Sequence, residues 1–140
     1  MGQCYRLESK LSNDMMQFSR KDSVMYAQQN SSLSDSTFKA VPGMDSTISG
    51  GVSFESTSVP GRFLRHWSEN KVSLHATNTI NIEKDSTFVV KPSESGVMLE
   101  ASNEPQSFLV EEFGRVTLHK QSEADGFENK ATWVPIKVQC

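Results

Sequence analysis

Apolar and polar positions along this chain alternate over stretches of four to six residues. No longer run keeps the 3.6-residue period of an amphipathic helix, so the pattern predicts short β-strands. The strands come in an order that repeats. Val52-Ser53-Phe54-Glu55-Ser56 matches Val97-Met98-Leu99-Glu100-Ala101, Arg62-Phe63-Leu64-Arg65 matches Ser107-Phe108-Leu109-Val110, and Ser86-Thr87-Phe88-Val89 matches Ala131-Thr132-Trp133-Val134. All three pairs share one offset of 45 residues, and Val72-Ser73-Leu74-His75 matches Val116-Thr117-Leu118-His119 at 44. The one-residue difference falls in loops, which tolerate length change. The first third follows the same order through Arg6-Leu7-Glu8-Ser9, Met16-Gln17-Phe18, Val24-Met25-Tyr26 and Ser36-Thr37-Phe38.

Each unit therefore reads as four short strands, in repeats spanning about residues 3–43, 50–92 and 96–138 of a single domain covering 1–140. The breaks carry turn chemistry: Pro42-Gly43, Gly50-Gly51, Pro60-Gly61, and Pro92 followed by Gly96. A unit this short cannot bury its own apolar face, so the three must share one core. Twelve strands in three copies, closed on themselves to remove free edges, predict an all-β protein of the β-trefoil type. A three-bladed propeller satisfies the same arithmetic but is geometrically rare. Phe38, Phe88 and Trp133 recur once per unit and are expected to be core aromatics around the pseudo-threefold axis. Glu8, Glu55 and Glu100 recur likewise, which marks them as structural rather than as catalytic acids.

Composition narrows the function. The chain has 140 residues, of which 36% are hydrophobic, and a formal net charge of −3; it holds no basic run, so nothing supplies the electrostatic attraction on which nucleic-acid binding rests. No apolar stretch approaches the ~20 residues of a membrane span, and the N-terminus lacks the apolar segment of a signal peptide. The expectation is a soluble chain, cytoplasmic if complete and extracellular if it is a domain excised from a secreted protein. Met1-Gly2-Gln3-Cys4 only distantly matches an acylation signal, because Arg6 stands where Ser or Thr is required. The two cysteines, Cys4 and Cys140, sit at opposite ends and read either as free thiols or, if the fold brings its termini together, as a terminal disulfide. Asn30-Ser31-Ser32 is a glycosylation sequon, relevant only to a secreted protein.

The second unit carries a more specific signal in Val52-Ser53-Phe54-Glu55-Ser56, Pro60-Gly61-Arg62-Phe63-Leu64-Arg65-His66 and Asp85-Ser86-Thr87-Phe88. These segments resemble the arabinofuranose-binding (AbfB) domain, a β-trefoil carbohydrate-binding module attached to α-L-arabinofuranosidases. The resemblance covers the chain by repeat and is close over about residues 50–92. It implies a non-catalytic, lectin-like module with shallow pockets for L-arabinofuranose side chains, in which His66 and Asp85 hydrogen-bond sugar hydroxyls. Trp67, beside His66, would offer the sugar ring an apolar face. The other units depart from the motif. Ser19 falls near the histidine position of the first, although Asp35 is kept there; Glu111 and Lys130 replace the pair in the third. At most one pocket of the family type is expected.

Arg65 is expected to be either a solvated strand residue or the partner of an acidic neighbour, rather than a ligand contact. His75 and His119 occupy equivalent positions without a metal-ligand spacing, so neither a metal nor a cofactor is expected. No nucleophile elbow, zinc-protease helix or phosphate loop is present, and no carboxylate pair is marked out for glycoside hydrolysis, so the chain does not read as an enzyme. Two functions then compete: a glycan-binding module working through His66, Asp85 and Trp67, and a trefoil kept as a protein-interaction or self-association module with its pockets filled. A cytokine-like or inhibitor-like trefoil acting through its loops is a third.

Overall fold

A computed structural model describes residues 2–29, 32–123 and 125–140. Asn30 and Ser31 of the glycosylation sequon lie outside these described residues. Among the described residues twelve strands form: β1 Cys4–Ser9, β2 Met15–Phe18, β3 Met25–Gln28, β4 Phe38–Pro42, β5 Val52–Ser56, β6 Arg62–Trp67, β7 Lys71–Ala76, β8 Phe88–Ser93, β9 Gly96–Ala101, β10 Ser107–Glu112, β11 Arg115–Lys120 and β12 Thr132–Val138. Every pairing is antiparallel. Six strands close a ring, β1 to β4, β4 to β5, β5 to β8, β8 to β9, β9 to β12 and β12 back to β1. The remaining six make three hairpins, β2–β3, β6–β7 and β10–β11, that cap one end of this barrel. The architecture is a β-trefoil of three pseudo-repeats with four short strands each.

The repeated Thr-aromatic motif has a local explanation. Before the last strand of each unit comes one helical turn: Ser34–Ser36, α1 Ile82–Asp85 and α2 Phe127–Ala131. The hydroxyl of the following threonine donates back to a carbonyl of that turn, Thr37 to Leu33 at 2.6 Å, Thr87 to Glu83 at 2.7 Å and Thr132 to Glu128 at 2.6 Å. Such back-bonding ends a helical turn and satisfies a carbonyl that would otherwise be orphaned. The next residue then enters the barrel. Phe38, Phe88 and Trp133 are each at most 1% exposed, and the Trp133 indole N–H donates to the Leu109 carbonyl at 3.0 Å.

The recurring glutamate acts on the next turn. The Glu55 carboxylate accepts from the Gly61 N–H at 2.8 Å, and Glu100 accepts from the Gln106 N–H at 2.7 Å. Both donors sit at positive φ, 87° and 66°, where the tight turn leaves an N–H without a ladder partner. The first unit deviates at its third strand. Met25 and Ala27 face the core there, rather than Val24 and Tyr26, because β2 and β3 pair Phe18 with Met25 and Met16 with Ala27. Closure of the ring brings the chain ends together, and Cys4 and Cys140 form a disulfide with a Cα–Cα distance of 5.2 Å.

Candidate functional site

The β6–β7 hairpin and α1 place three of the expected residues together. His66 and Trp67 end β6 and Asp85 ends α1; all three line one open cleft of about 430 Å³. His66 and Asp85 do not touch directly. The third repeat bridges them: the Asn103 side chain, on the β9–β10 turn, meets the His66 Nε2 through its Oδ1 at 2.7 Å, and its Nδ2 donates to the Asp85 Oδ1 at 2.8 Å. The site is thus composite, built across the boundary between two repeats. Asn103 was not identified from the sequence, since no motif marks a turn residue whose partners lie 37 and 18 positions away.

Arg65 fixes the other side of the carboxylate. Its Nε and one terminal nitrogen donate to the Asp85 Oδ2 at 3.0 and 2.7 Å, and the same terminal nitrogen donates to the Ile80 carbonyl at 3.1 Å. The expected acidic partner of Arg65 is therefore Asp85. Both side chains are largely shielded, 11% and 15% exposed, so the forked geometry is held far more firmly than a surface pair would be. His75 packs against Arg65 from β7, with its Nδ1 3.5 Å from a guanidinium nitrogen. Burial, followed by the Arg65 and Arg62 cations, pushes the His75 imidazole below its ordinary range, against a smaller opposing pull from Asp85.

Trp67 reaches the cleft with its ring already engaged. The Lys71 ammonium lies 5.2 Å from the ring centroid, and His75 meets the ring edge-on at 5.2 Å. Glu69 and Asn70, both at positive φ, form the hairpin tip that makes the cleft rim.

The corresponding positions elsewhere are committed to other contacts. In the third repeat Glu111, 5% exposed, accepts from the Ser12 hydroxyl at 2.5 Å. Lys130 pairs instead with Glu112 at 3.3 Å, and Glu112 also meets the His119 Nε2 at 2.9 Å. Burial pushes the Glu112 carboxyl up, but Lys130 and His119 together outweigh it and hold the group below the usual carboxylate range. In the first repeat Arg20, with its side chain 61% exposed, pairs with Asp35 at 3.2 Å, while Ser19 is part of the β2–β3 turn. Among the described residues no cluster of His, Cys, Asp and Glu is arranged to hold a metal ion, and no helix is long and apolar enough to cross a membrane.

Comparison with known proteins places this geometry in context. Residues 5–135 match the family model of the alpha-L-arabinofuranosidase B (ABFB) domain. No curated protein sequence matches the chain. Among solved structures, a GH54 α-L-arabinofuranosidase soaked with a cyclic sulfate inhibitor superposes with a TM-score of 0.82 at 18% identity, over 96% of this chain and 31% of the enzyme. The chain thus spans about a third of that enzyme's length. The Rhizoctonia solani agglutinin superposes with a TM-score of 0.74 at 11% identity, over 99% of this chain and 96% of the agglutinin. The designed threefold-symmetric protein ThreeFoil gives 0.72 at 12% identity, over 96% of this chain and 99% of its own. At these identities the superpositions speak to fold.

Proposed function

Because the chain belongs to the α-L-arabinofuranosidase B (AbfB) domain family, we propose that it is a non-catalytic carbohydrate-binding module whose sugar site is the cleft between its second and third repeats. The observation that supports this reading is the row His66–Asn103–Asp85, hydrogen-bonded end to end along an open cleft. A sugar hydroxyl both donates and accepts, and this row offers both functions within one short span. An ionised carboxylate has about four acceptor sites. On Asp85 two hydrogen bonds come from Arg65 and one from Asn103, which leaves an acceptor on the Oδ1 side. The exposed Asn103 amide keeps a second N–H, and the His66 ring keeps its other nitrogen.

Arg65 is a positioning residue in this scheme. By holding Oδ2 with two N–H groups it fixes the carboxylate plane, so that the remaining lone pair points consistently at the ligand. The cleft volume falls at the lower end of the range for small-ligand sites, in keeping with one sugar ring, for which the family favours an arabinofuranosyl side chain. Single sugar sites bind weakly, and such modules gain strength through attachment to neighbouring domains. The Cys4–Cys140 bond supports an oxidising, extracellular setting for the module.

The test is a calorimetric or NMR titration with arabinofuranosyl oligosaccharides on the wild type, His66→Ala and Asn103→Ala, with melting curves to verify folding. Each substitution is expected to weaken binding at least tenfold. Wild-type affinity in both variants would reject the site, whereas failure of the wild type to bind any glycan would favour a protein-interaction module.

A further inference from the structure

The barrel is filled at its capped end and hollow at the other. The ring of Phe38, Phe88 and Trp133 occupies the interior near the cap. Side chains two residues apart on a strand share a face, so the next interior positions on β4, β8 and β12 are Ala40, Val90 and Pro135. Three large aromatic rings are thus followed by three small side chains. The space left is a cup of about 250 Å³, with Leu7, Phe54 and Leu99 as its buried floor and Tyr5, Val52 and Val97 in its wall.

We propose that this cup is a binding site for a small uncharged molecule with an aromatic or aliphatic body of about ten non-hydrogen atoms, scaled from the apolar cavity of about 150 Å³ that accepts benzene. It shares no residue with the cleft at His66, and it is independent of the carbohydrate reading. Its lining sets the ligand class. Among the described residues the only polar side chains lining it are the Gln3 amide and the Tyr5 phenol, and none of those residues brings a charged group to it, so an ionic ligand would lose its hydration without a partner there. An apolar body would recover the dispersion contacts that the floor and wall now lack.

The surroundings select a small molecule over a macromolecule. Of the large apolar side chains exposed among the described residues, Val90 alone belongs to the cup; Leu11, Leu33, Ile80 and Phe113 lie elsewhere. The next positions outward on the three strands, Pro42, Pro92 and Lys137, are exposed. Beyond Val90 the exposed rim thus carries two compact proline rings and one charged lysine and no further large apolar side chain, which is less than the contiguous patch a protein partner would cover.

The test uses the whole chain with labelled methyl groups, titrated with indole as the neutral probe and benzoate as a charged probe of similar size. Indole is expected to give saturable shifts confined to the methyls of Leu7, Val52, Val97 and Leu99, while benzoate gives none. Val97→Phe and Val52→Phe fill the cup from different sides, and either should weaken the indole response at least tenfold while His66→Ala leaves it unchanged. An absent or unsaturable wild-type response, shifts mapping elsewhere, equal binding of benzoate, or an undiminished response in a folded filled variant would each overturn the proposal. Should neither filled variant fold, the wild-type methyl map and the contrast between probes decide it.

Discussion

Replacing Cys140 by Ser should remove a large part of the stability of this fold without changing any core contact. The disulfide closes a loop over a sequence separation of 136 residues. On the chain-entropy model, opening a loop of that length returns about 17 cal/mol/K to the unfolded chain, or about 5 kcal/mol at 25 °C. A domain of this size is stable by about 5–15 kcal/mol in total, so the loss amounts to between a third and nearly all of it. The six residue pairs between β1 and β12 remain in the folded state, and Cys140 is exposed; the effect therefore arises in the unfolded ensemble. The measurement is guanidinium unfolding of the wild type with and without reductant, beside Cys140→Ser and the Cys4→Ser/Cys140→Ser double variant. The reduced wild type and Cys140→Ser should coincide, with a lower midpoint and a steeper dependence on denaturant, since an unlinked chain exposes more surface; the double variant should fall somewhat lower, because it also places a hydroxyl at the buried Cys4 position. A stability change under about 1 kcal/mol, or a Cys140→Ser variant that differs from the reduced wild type, would refute the argument.

Three further outcomes are expected. Trp133→Phe should destabilise by about 1–3 kcal/mol, because it strands the buried Leu109 carbonyl, while Trp133→Ala should lose about 3–5 kcal/mol; urea unfolding followed by circular dichroism separates the two. At Gly96 an added Cβ would sit 2.5 Å from the Trp133 carbonyl oxygen, so Gly96→Ala should lower stability by about 1–3 kcal/mol through forced backbone displacement, read as a drop in melting temperature. The His75 imidazole titrates below its ordinary value of 6.5 in the fold, which means the unfolded chain binds that proton more readily. Its contribution is fully present above that ordinary value and is lost as the pH falls through the lower, folded-state value. His75→Asn should flatten stability in that window, and NMR titration of the His75 ring that finds a value at or above 6.5 would contradict the premise.

The fold was readable from sequence wherever the three copies repeat the same physical task. Thr87-Phe88 and Thr132-Trp133 recur because each pair ends a helical turn and fills the barrel one residue later, and Glu55 and Glu100 recur because each holds the N–H of a turn. Repetition fades where a copy solves its task differently. Val24 imitates the apolar start of β7 and β11, yet the structure uses Met25, since pairing with β2 rather than local pattern sets which face is buried. The candidate site was readable only in part. His66 and Asp85 lie in the second copy and carry the family motif, but their link, Asn103, belongs to the third and becomes their neighbour only after the ring closes. The pairing of Cys4 with Cys140 was open for the same reason: it depends on closure, which no local stretch of sequence encodes.

The Cys4–Cys140 bond also determines how the domain would carry load. With its two anchor residues 5.2 Å apart at Cα, a pull exerted at the two cysteines passes through a covalent link and bypasses the strands. The ladder between β1 and β12, which joins the first strand to the last, bears none of that tension while the bond is intact. Mechanically the oxidised module is a bead on an inextensible cord, and reduction converts it into a spring that lengthens by unravelling.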